Sequence, residues 1–290
     1  MPAVRYEAPT SIADAVRLMQ ADPAARILAG GTDLLIQFRA GMRQASAFVD
    51  VKRIPELVEI RVDDAGARIG AGAAAAAICE QPAINRLWPG IVEATQLIGS
   101  TQIQGRATLG GNLCNASPAA DGTCALIVNR ARCVIAGPAG ERRVPVDEFC
   151  AAPGRTVLGR GEILVAIEIP RPPPGTSDAY LRLIPRSEMD IAVAGAAVSV
   201  TIDAAGICTA ARVAIGAVAP TALVVAAAAD ALVGAEIGED AIERAADAAR
   251  AMTRPIDDRR GTVAYRRHVV GVLVKRAATT AAERARRQRA

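Results

Sequence analysis

Apolar side chains recur at helical intervals through Ile12-Ala13-Asp14-Ala15-Val16-Arg17-Leu18-Met19, with Ser11 placed to cap them and Asp22-Pro23 to stop them. That pattern predicts a first helix. Arg26-Ile27-Leu28-Ala29 reads as a short strand entering Gly30-Gly31, and a helix is expected to begin over Asp33-Leu34-Leu35-Ile36-Gln37. Ala47 to Val51 is a further strand, and Val58 to Val62 should pair with Ala67 to Ala71 across the turn Asp63-Asp64-Ala65-Gly66. Trp88-Pro89-Gly90 leads a helix through Ile98, and Pro118 precedes another over Ala120 to Asn129. Arg132 to Ala136 and Arg143 to Val146 flank Gly137-Pro138-Ala139-Gly140, a second hairpin signal, and Glu162 to Ile169 reads as a strand.

Pro170-Arg171-Pro172-Pro173-Pro174-Gly175 is the clearest linker in the chain. Beyond it, Tyr180 to Ile184, Ile191 to Ile202 and Val213 to Ala217 read as antiparallel strands, with Asp203-Ala204-Ala205-Gly206 as a turn. Helical stretches follow over Thr221 to Val233, Glu239 to Met252 and Thr262 to the C-terminus. Strands followed by helices indicate an α+β second domain. The expected division is 1–175, itself split at 54/55 into two subdomains, and 176–290.

Two stretches carry candidate chemistry. Leu28-Ala29-Gly30-Gly31-Thr32-Asp33-Leu34 and Ala107-Thr108-Leu109-Gly110-Gly111-Asn112, continuing through Asn115 and Ser117 to Asp121, each set paired glycines beside a small hydroxyl or amide residue. Backbone N–H groups can then crowd an anion with no Cβ in the way. Two such loops suit the two phosphates of a dinucleotide. A third glycine motif, Gly70-Ala71-Gly72-Ala73-Ala74-Ala75 with Glu93 beyond it, satisfies the G-x-G-x-x-A nicotinamide fingerprint. It is set aside, because that site needs a parallel βαβ unit and the turn before it makes this strand one arm of an antiparallel pair.

Composition narrows the function further. Over 290 residues the apolar content is mostly aliphatic and only 2% is aromatic, which fits a packed globule rather than a base-stacking nucleic-acid binder. The net charge of +4 is modest, and much of the excess sits in Arg284-Ala285-Arg286-Arg287-Gln288-Arg289, read as a solvated helix tail with a partner contact as the alternative. The six cysteines include no C-x-x-C pair, so buried reduced thiols are expected rather than a zinc or iron–sulfur site. With no secretory signal and no apolar run of membrane-spanning length, the expected setting is the cytoplasm. The single histidine, His268, has no triad or ligand set around it and is read as structural.

Taken with Phe149, Gly154-Arg155-Thr156-Val157-Leu158, Gly161-Glu162-Ile163-Leu164, Arg186 and Asp190-Ile191-Ala192, the two glycine loops give the chain a specific likeness. It resembles the FAD-binding medium subunit of the molybdenum hydroxylases, the family of xanthine dehydrogenase and aerobic carbon monoxide dehydrogenase. The resemblance implies a two-part FAD-binding domain of the vanillyl-alcohol-oxidase/PCMH type, followed by the α+β C-terminal domain of carbon monoxide dehydrogenase flavoproteins. It implies that Leu28 to Leu34, Gly99, Thr101, Ala107, Thr108, Gly110, Gly111, Asn112, Asn115, Ser117 and Asp121 hold FAD from one side, and Leu158 and Arg182 from the other. Leu34 would press on the flavin. Asp121 has a competing reading as a helix-capping acid, and Arg182, where relatives often have lysine, as a surface arginine. The chain departs from the family before the second loop, with Gln102-Ile103-Gln104-Gly105 ahead of Arg106 in place of a Gln-Ile-Arg-Asn stretch. No insertion follows Asp121, so the extra iron–sulfur cluster of the 4-hydroxybenzoyl-CoA reductase branch is not expected.

The same resemblance implies partners: a large molybdenum-cofactor subunit and a small subunit with two-iron clusters, in a heterotrimer or its dimer, with NAD⁺, a quinone or oxygen as acceptor. No metal is expected on this chain and no protein acid or base in the redox step. A free-standing flavin oxidoreductase and a non-catalytic FAD-binding assembly protein are the alternatives.

Overall fold

Ser11 caps the first helix, Ile12–Ala21, by accepting the Asp14 N–H at 3.1 Å, as its place in the sequence predicts. The computed structural model describes residues 4–288. This helix buries Ala15 and Val16 on a three-stranded parallel sheet in which Ala47–Asp50 lies between Arg5–Glu7 and Arg26–Leu28. Pairing over such sequence distances leaves no local signature.

Next comes a five-stranded antiparallel sheet, in the order Ile60–Asp63, Gly66–Gly70, Ile163–Pro170, Arg132–Gly137, Gly140–Pro145. Its pleat separates two cores. Ile60, Ile69, Ile167, Cys133 and Val144 share a row on one face, while Val134 and Ala166 point to the other and pack with Ala15, Val16 and Val49 of the N-terminal layer. Gly66–Gly70 is thus one arm of a hairpin, as the rejection of the nicotinamide fingerprint requires.

Behind the first row sit the helices Ala75–Cys79, Pro82–Leu87, Pro89–Gln96 and Asp121–Val128. The last of these is buried at every position: Cys124 to Val128 present apolar side chains all round, and Asp121 and Thr123 are buried with them. It packs on a four-stranded antiparallel sheet, ordered Thr176–Leu183, Ala194–Ile202, Cys208–Gly216, Leu223–Val224. One row of that sheet, Tyr180, Ala197 and Ala214, joins the core of the first domain. The opposite row, Ala179, Val198 and Val213, lies under the helices Glu239–Met252 and Val263–Arg287. The architecture is α+β.

Three expectations change. Thr221 to Val233 is not one helix: Leu223 and Val224 pair with Ile215 and Ala214, and only Ala226–Asp230 is helical, because the valines at 224 and 225 favour extended backbone and extend the sheet. The strand expected from Ile191 begins at Ala194, after a loop braced by Arg186 and Asp190. The C-terminal arginines are not a uniformly solvated tail. Arg284 donates to the Asp178 carbonyl at 2.9 Å and pairs with Glu93, and Arg286 donates to the Ile237 carbonyl at 3.2 Å. Arg287 stays exposed and Arg289 lies outside the described residues. All six cysteines are free thiols, and His268 is exposed on the last helix.

Candidate functional site

The strand Arg26–Leu28 delivers the chain into Ala29-Gly30-Gly31-Thr32, and Gly31 turns it with φ of 76°, a conformation that suits glycine. Gly30 lies hard against the second glycine loop. A Cβ there would sit 1.9 Å from the Arg106 carbonyl oxygen, so only glycine lets the two loops touch. In the second loop, Thr108 caps the helix Leu109–Asn115 by accepting the Gly111 N–H at 2.9 Å. A Cβ on Gly110 would fall 2.4 Å from the Ala71 carbonyl oxygen, which fixes that loop against the strand edge.

Between the loops opens a cavity of about 450 Å³, within the range of small-molecule and cofactor sites. Ala29, Gly30, Gly31, Thr32, Asp33, Leu34, Ala107, Thr108, Gly110, Gly111, Asn112, Asn115 and Leu158 line it. Leu28 is buried behind the first loop, in reach of Gly31. Gly99 and Thr101 follow the lining residue Ile98 but do not line the cavity themselves. Ser117 lies outside the lining, its Oγ accepting the Ala119 N–H at 3.2 Å.

Among the described residues, the backbone N–H groups of Gly30, Gly31, Thr32 and Asp33 have no acceptor within the chain. Unpaired donors on a concave wall call for a ligand that accepts hydrogen bonds. A counter-charge is also present. Arg43, half-buried on the lining, makes no side-chain hydrogen bond or ion pair among the described residues. Asn115 accepts from Gln37 Nε2 at 3.0 Å, and Asn112 Oδ1 accepts the Gly122 N–H at 3.2 Å, tying the helix after the second loop to the next. Burial by the walls pushes the Asp33 carboxyl above the usual carboxylate range, although the residue as a whole keeps solvent contact at the rim. Glu162, also on the lining, is held below that range chiefly by the Arg142 guanidinium.

Thr156 and Glu162, within stretches that carry the family likeness, also line the cavity, whereas Arg26, Gln37 and Arg43 are lining residues that the sequence pattern does not single out. They lie outside glycine motifs, so only the parallel pairing of Arg26–Leu28 and the fold of the following loop could have revealed them.

Asp121 and Arg182 meet away from the lining. Arg182 Nη1 lies 2.5 Å from Asp121 Oδ2, and the Tyr180 hydroxyl donates to Asp121 Oδ1 at 2.8 Å. Asp121 therefore spends both carboxylate oxygens on the second domain rather than on capping its own helix. Burial raises its pKa to about 6 against the lowering pull of Arg182 and Tyr180. Arg182 is a buried arginine, not a surface one, and its Nε has no partner among the described residues.

Open backbone donors from the first glycine loop, the close-packed second loop facing it, an arginine unpaired among the described residues and apolar walls from Ile27, Leu34, Leu57, Ile98, Leu158 and Leu164 together fit a dinucleotide with a ring system, as FAD is. Comparison with known proteins agrees. Residues 2–172 match the family model described as FAD binding domain in molybdopterin dehydrogenase, and residues 179–281 match the CO dehydrogenase flavoprotein C-terminal domain. The chain is 35% identical over 281 residues to the carbon monoxide dehydrogenase medium chain of Hydrogenophaga pseudoflava, covering 97% of each. It is 30% identical over 273 residues, 93% of each chain, to a putative xanthine dehydrogenase FAD-binding subunit of Escherichia coli. A solved carbon monoxide dehydrogenase from Hydrogenophaga pseudoflava contains a chain that superposes with a TM-score of 0.93 at 36% identity, covering 98% of both. With a fold and a site of this kind and matches over nearly all of its length, the chain belongs to the FAD-binding medium subunits of the molybdenum hydroxylases, oxidoreductase components of the carbon monoxide and xanthine dehydrogenase family.

Proposed function

We propose that this chain is the electron-transfer subunit of a heteromeric molybdenum hydroxylase. FAD held here would receive electrons from an iron–sulfur subunit and pass them to NAD⁺, a quinone or oxygen, while the substrate is oxidised on a separate molybdenum-cofactor subunit. The observation that carries the proposal is the contact of the two glycine loops at Gly30 and Arg106, with unpaired N–H groups beside it. Relatives named as medium chains and complex subunits support a heterotrimer or its dimer.

The chain's own part is to bind, orient and exclude water. The N–H groups of Gly30 to Asp33, Gly110 in the second loop, the Thr32 hydroxyl and Arg43 would hold the diphosphate. Leu34, Leu57, Ile98 and Leu158 would wall the rings from water. Asp121 from the first domain and Arg182 from the second are proposed to face the flavin, a role supported by the orphaned Arg182 Nε and the Asp121 pKa of about 6. The proline-rich segment 170–175 is proposed as the domain boundary. No helix among the described residues is long and apolar enough to cross a membrane, and six free thiols support a reducing, cytoplasmic setting.

The test is to purify the chain with the neighbouring gene products, identify the flavin, and follow its bleaching when the complex receives substrate. Flavin that stays oxidised while the molybdenum subunit turns over would contradict electron transfer through this chain. Turnover by the chain alone would favour a free-standing oxidoreductase.

A further inference from the structure

Lys52 lies outside the cavity lining and outside every glycine motif, yet it grips the first loop. Its Nζ donates to the Ala29 carbonyl at 2.9 Å and to Asp50 Oδ1 at 2.7 Å. The register of the parallel sheet explains the reach. Leu28 is paired with Asp50, so the chain just past Asp50 runs beside the chain just past Leu28. A 3₁₀ turn, Val51–Arg53, capped by Asp50 Oδ1 on the Lys52 N–H at 3.0 Å, folds Lys52 back toward that carbonyl. Asp50 is itself pinned by the Tyr6 hydroxyl, which donates to Oδ2 at 2.6 Å. Burial pulls the Asp50 carboxyl up, and the hydrogen bonds from Lys52 and Tyr6 outweigh it, so the group stays ionised as the ammonium's partner.

The peptide between Ala29 and Gly30 is planar and trans, so its C=O and N–H point in opposite directions. Anchoring the carbonyl on Lys52 turns the Gly30 N–H away from Lys52, to the side where no group of the chain accepts it. A cation on the carbonyl also polarises the peptide and strengthens the opposite N–H as a donor to an anion. We infer that Lys52 is a positioning residue for the cofactor diphosphate, acting through the Ala29 carbonyl to aim and sharpen the Gly30 N–H. This rests on the proposed FAD site.

Quenching of FAD fluorescence on titration with the flavin-free full-length protein, in the complex it purifies with, tests both levels. Lys52→Met should weaken FAD about tenfold, the scale of one charge-assisted hydrogen bond that is partly open to solvent, and weaken ADP, which carries the same diphosphate, by a similar factor. Lys52→Arg, which keeps a cation on both Asp50 and the Ala29 carbonyl, should recover most of that loss and leave the melting temperature of the flavin-free protein little changed. A wild-type protein that binds FAD beside an equally tight Lys52→Met variant overturns the inference and leaves the site intact. A Lys52→Met variant whose flavin-free form melts early and is not rescued by arginine also overturns it, in favour of a structural role. A wild-type protein that takes up no FAD overturns the site itself.

Discussion

The cavity between the glycine loops and the seam beneath the second domain use similar groups to opposite ends. At the cavity, the N–H groups of Gly30 to Asp33 and the Arg43 guanidinium are left without acceptors among the described residues. At the seam the carboxylates are spent internally. Asp121 is taken by Arg182 and Tyr180, and Asp178 by the Gly90 N–H at 3.0 Å and Asn129 Nδ2 at 2.6 Å, while Glu93 pairs with Arg284 and accepts the Tyr180 N–H at 2.8 Å. Unpaired polar groups next to water cost little until a ligand arrives, whereas an unpaired charge in a closed seam would cost several kcal/mol. The contrast separates donors left open for a ligand from carboxylates spent on holding the fold together.

The largest effect should come from breaking the seam. Arg182→Ala leaves Asp121 buried without its cation and should lower stability in urea by about 3–5 kcal/mol. Adding Asp121→Asn should return part of that loss. A variant as stable as the wild type would mean that the pair does not hold the domains together.

The seam should also respond to pH. Burial raises Asp178 from 3.8 to about 6, with Gly90 and Asn129 opposing the shift. Its folded pKa lies above its unfolded one, so its stabilising contribution is fully present below pH 3.8 and is lost as pH rises through 6. A shift of about two units amounts to at most ~3 kcal/mol. Relative to Asp178→Asn, the wild type should therefore be most stable at pH 4 and lose that lead by pH 7. A constant difference across this range would contradict the burial of an ionisable seam.

At the cavity, Gly30→Ala forces a Cβ onto the Arg106 carbonyl oxygen. An overpacking cost of about 1–3 kcal/mol should appear mainly as FAD binding weakened roughly 10- to 100-fold. Ser11→Ala, by contrast, should cost about 1 kcal/mol in melting experiments, the worth of one helix cap, and leave FAD affinity unchanged. Together these two variants show whether site and scaffold separate.

Local features are legible in the amino-acid sequence alone. The Ser11 cap, the hairpins at Asp63-Asp64-Ala65-Gly66 and Gly137-Pro138-Ala139-Gly140, and the two glycine loops all rest on residues a few positions apart. What stays hidden depends on distant pairing. Arg26 reaches the cavity only because Arg26–Leu28 lies in a parallel sheet, Arg43 because the chain turns back onto the Gln37 carbonyl after its helix, and Lys52 touches Ala29 only through the register of that sheet. Arg284 reads as part of a charged tail because nothing near it in sequence reveals Glu93 or Asp178. Thr221 to Val233 reads as helical because alanine-rich stretches do, and pairing of Leu223 and Val224 with the sheet edge outweighs that preference.

The most direct measurement is the visible spectrum and flavin content of the purified native complex, taken for the wild type and for Gly30→Ala with Gly110→Ala. One FAD per copy of this chain in the wild type, and its loss in the double variant with the fold retained by circular dichroism, is the predicted result. A wild-type complex that is colourless, or a double variant that keeps its FAD, would contradict a site built from the two glycine loops.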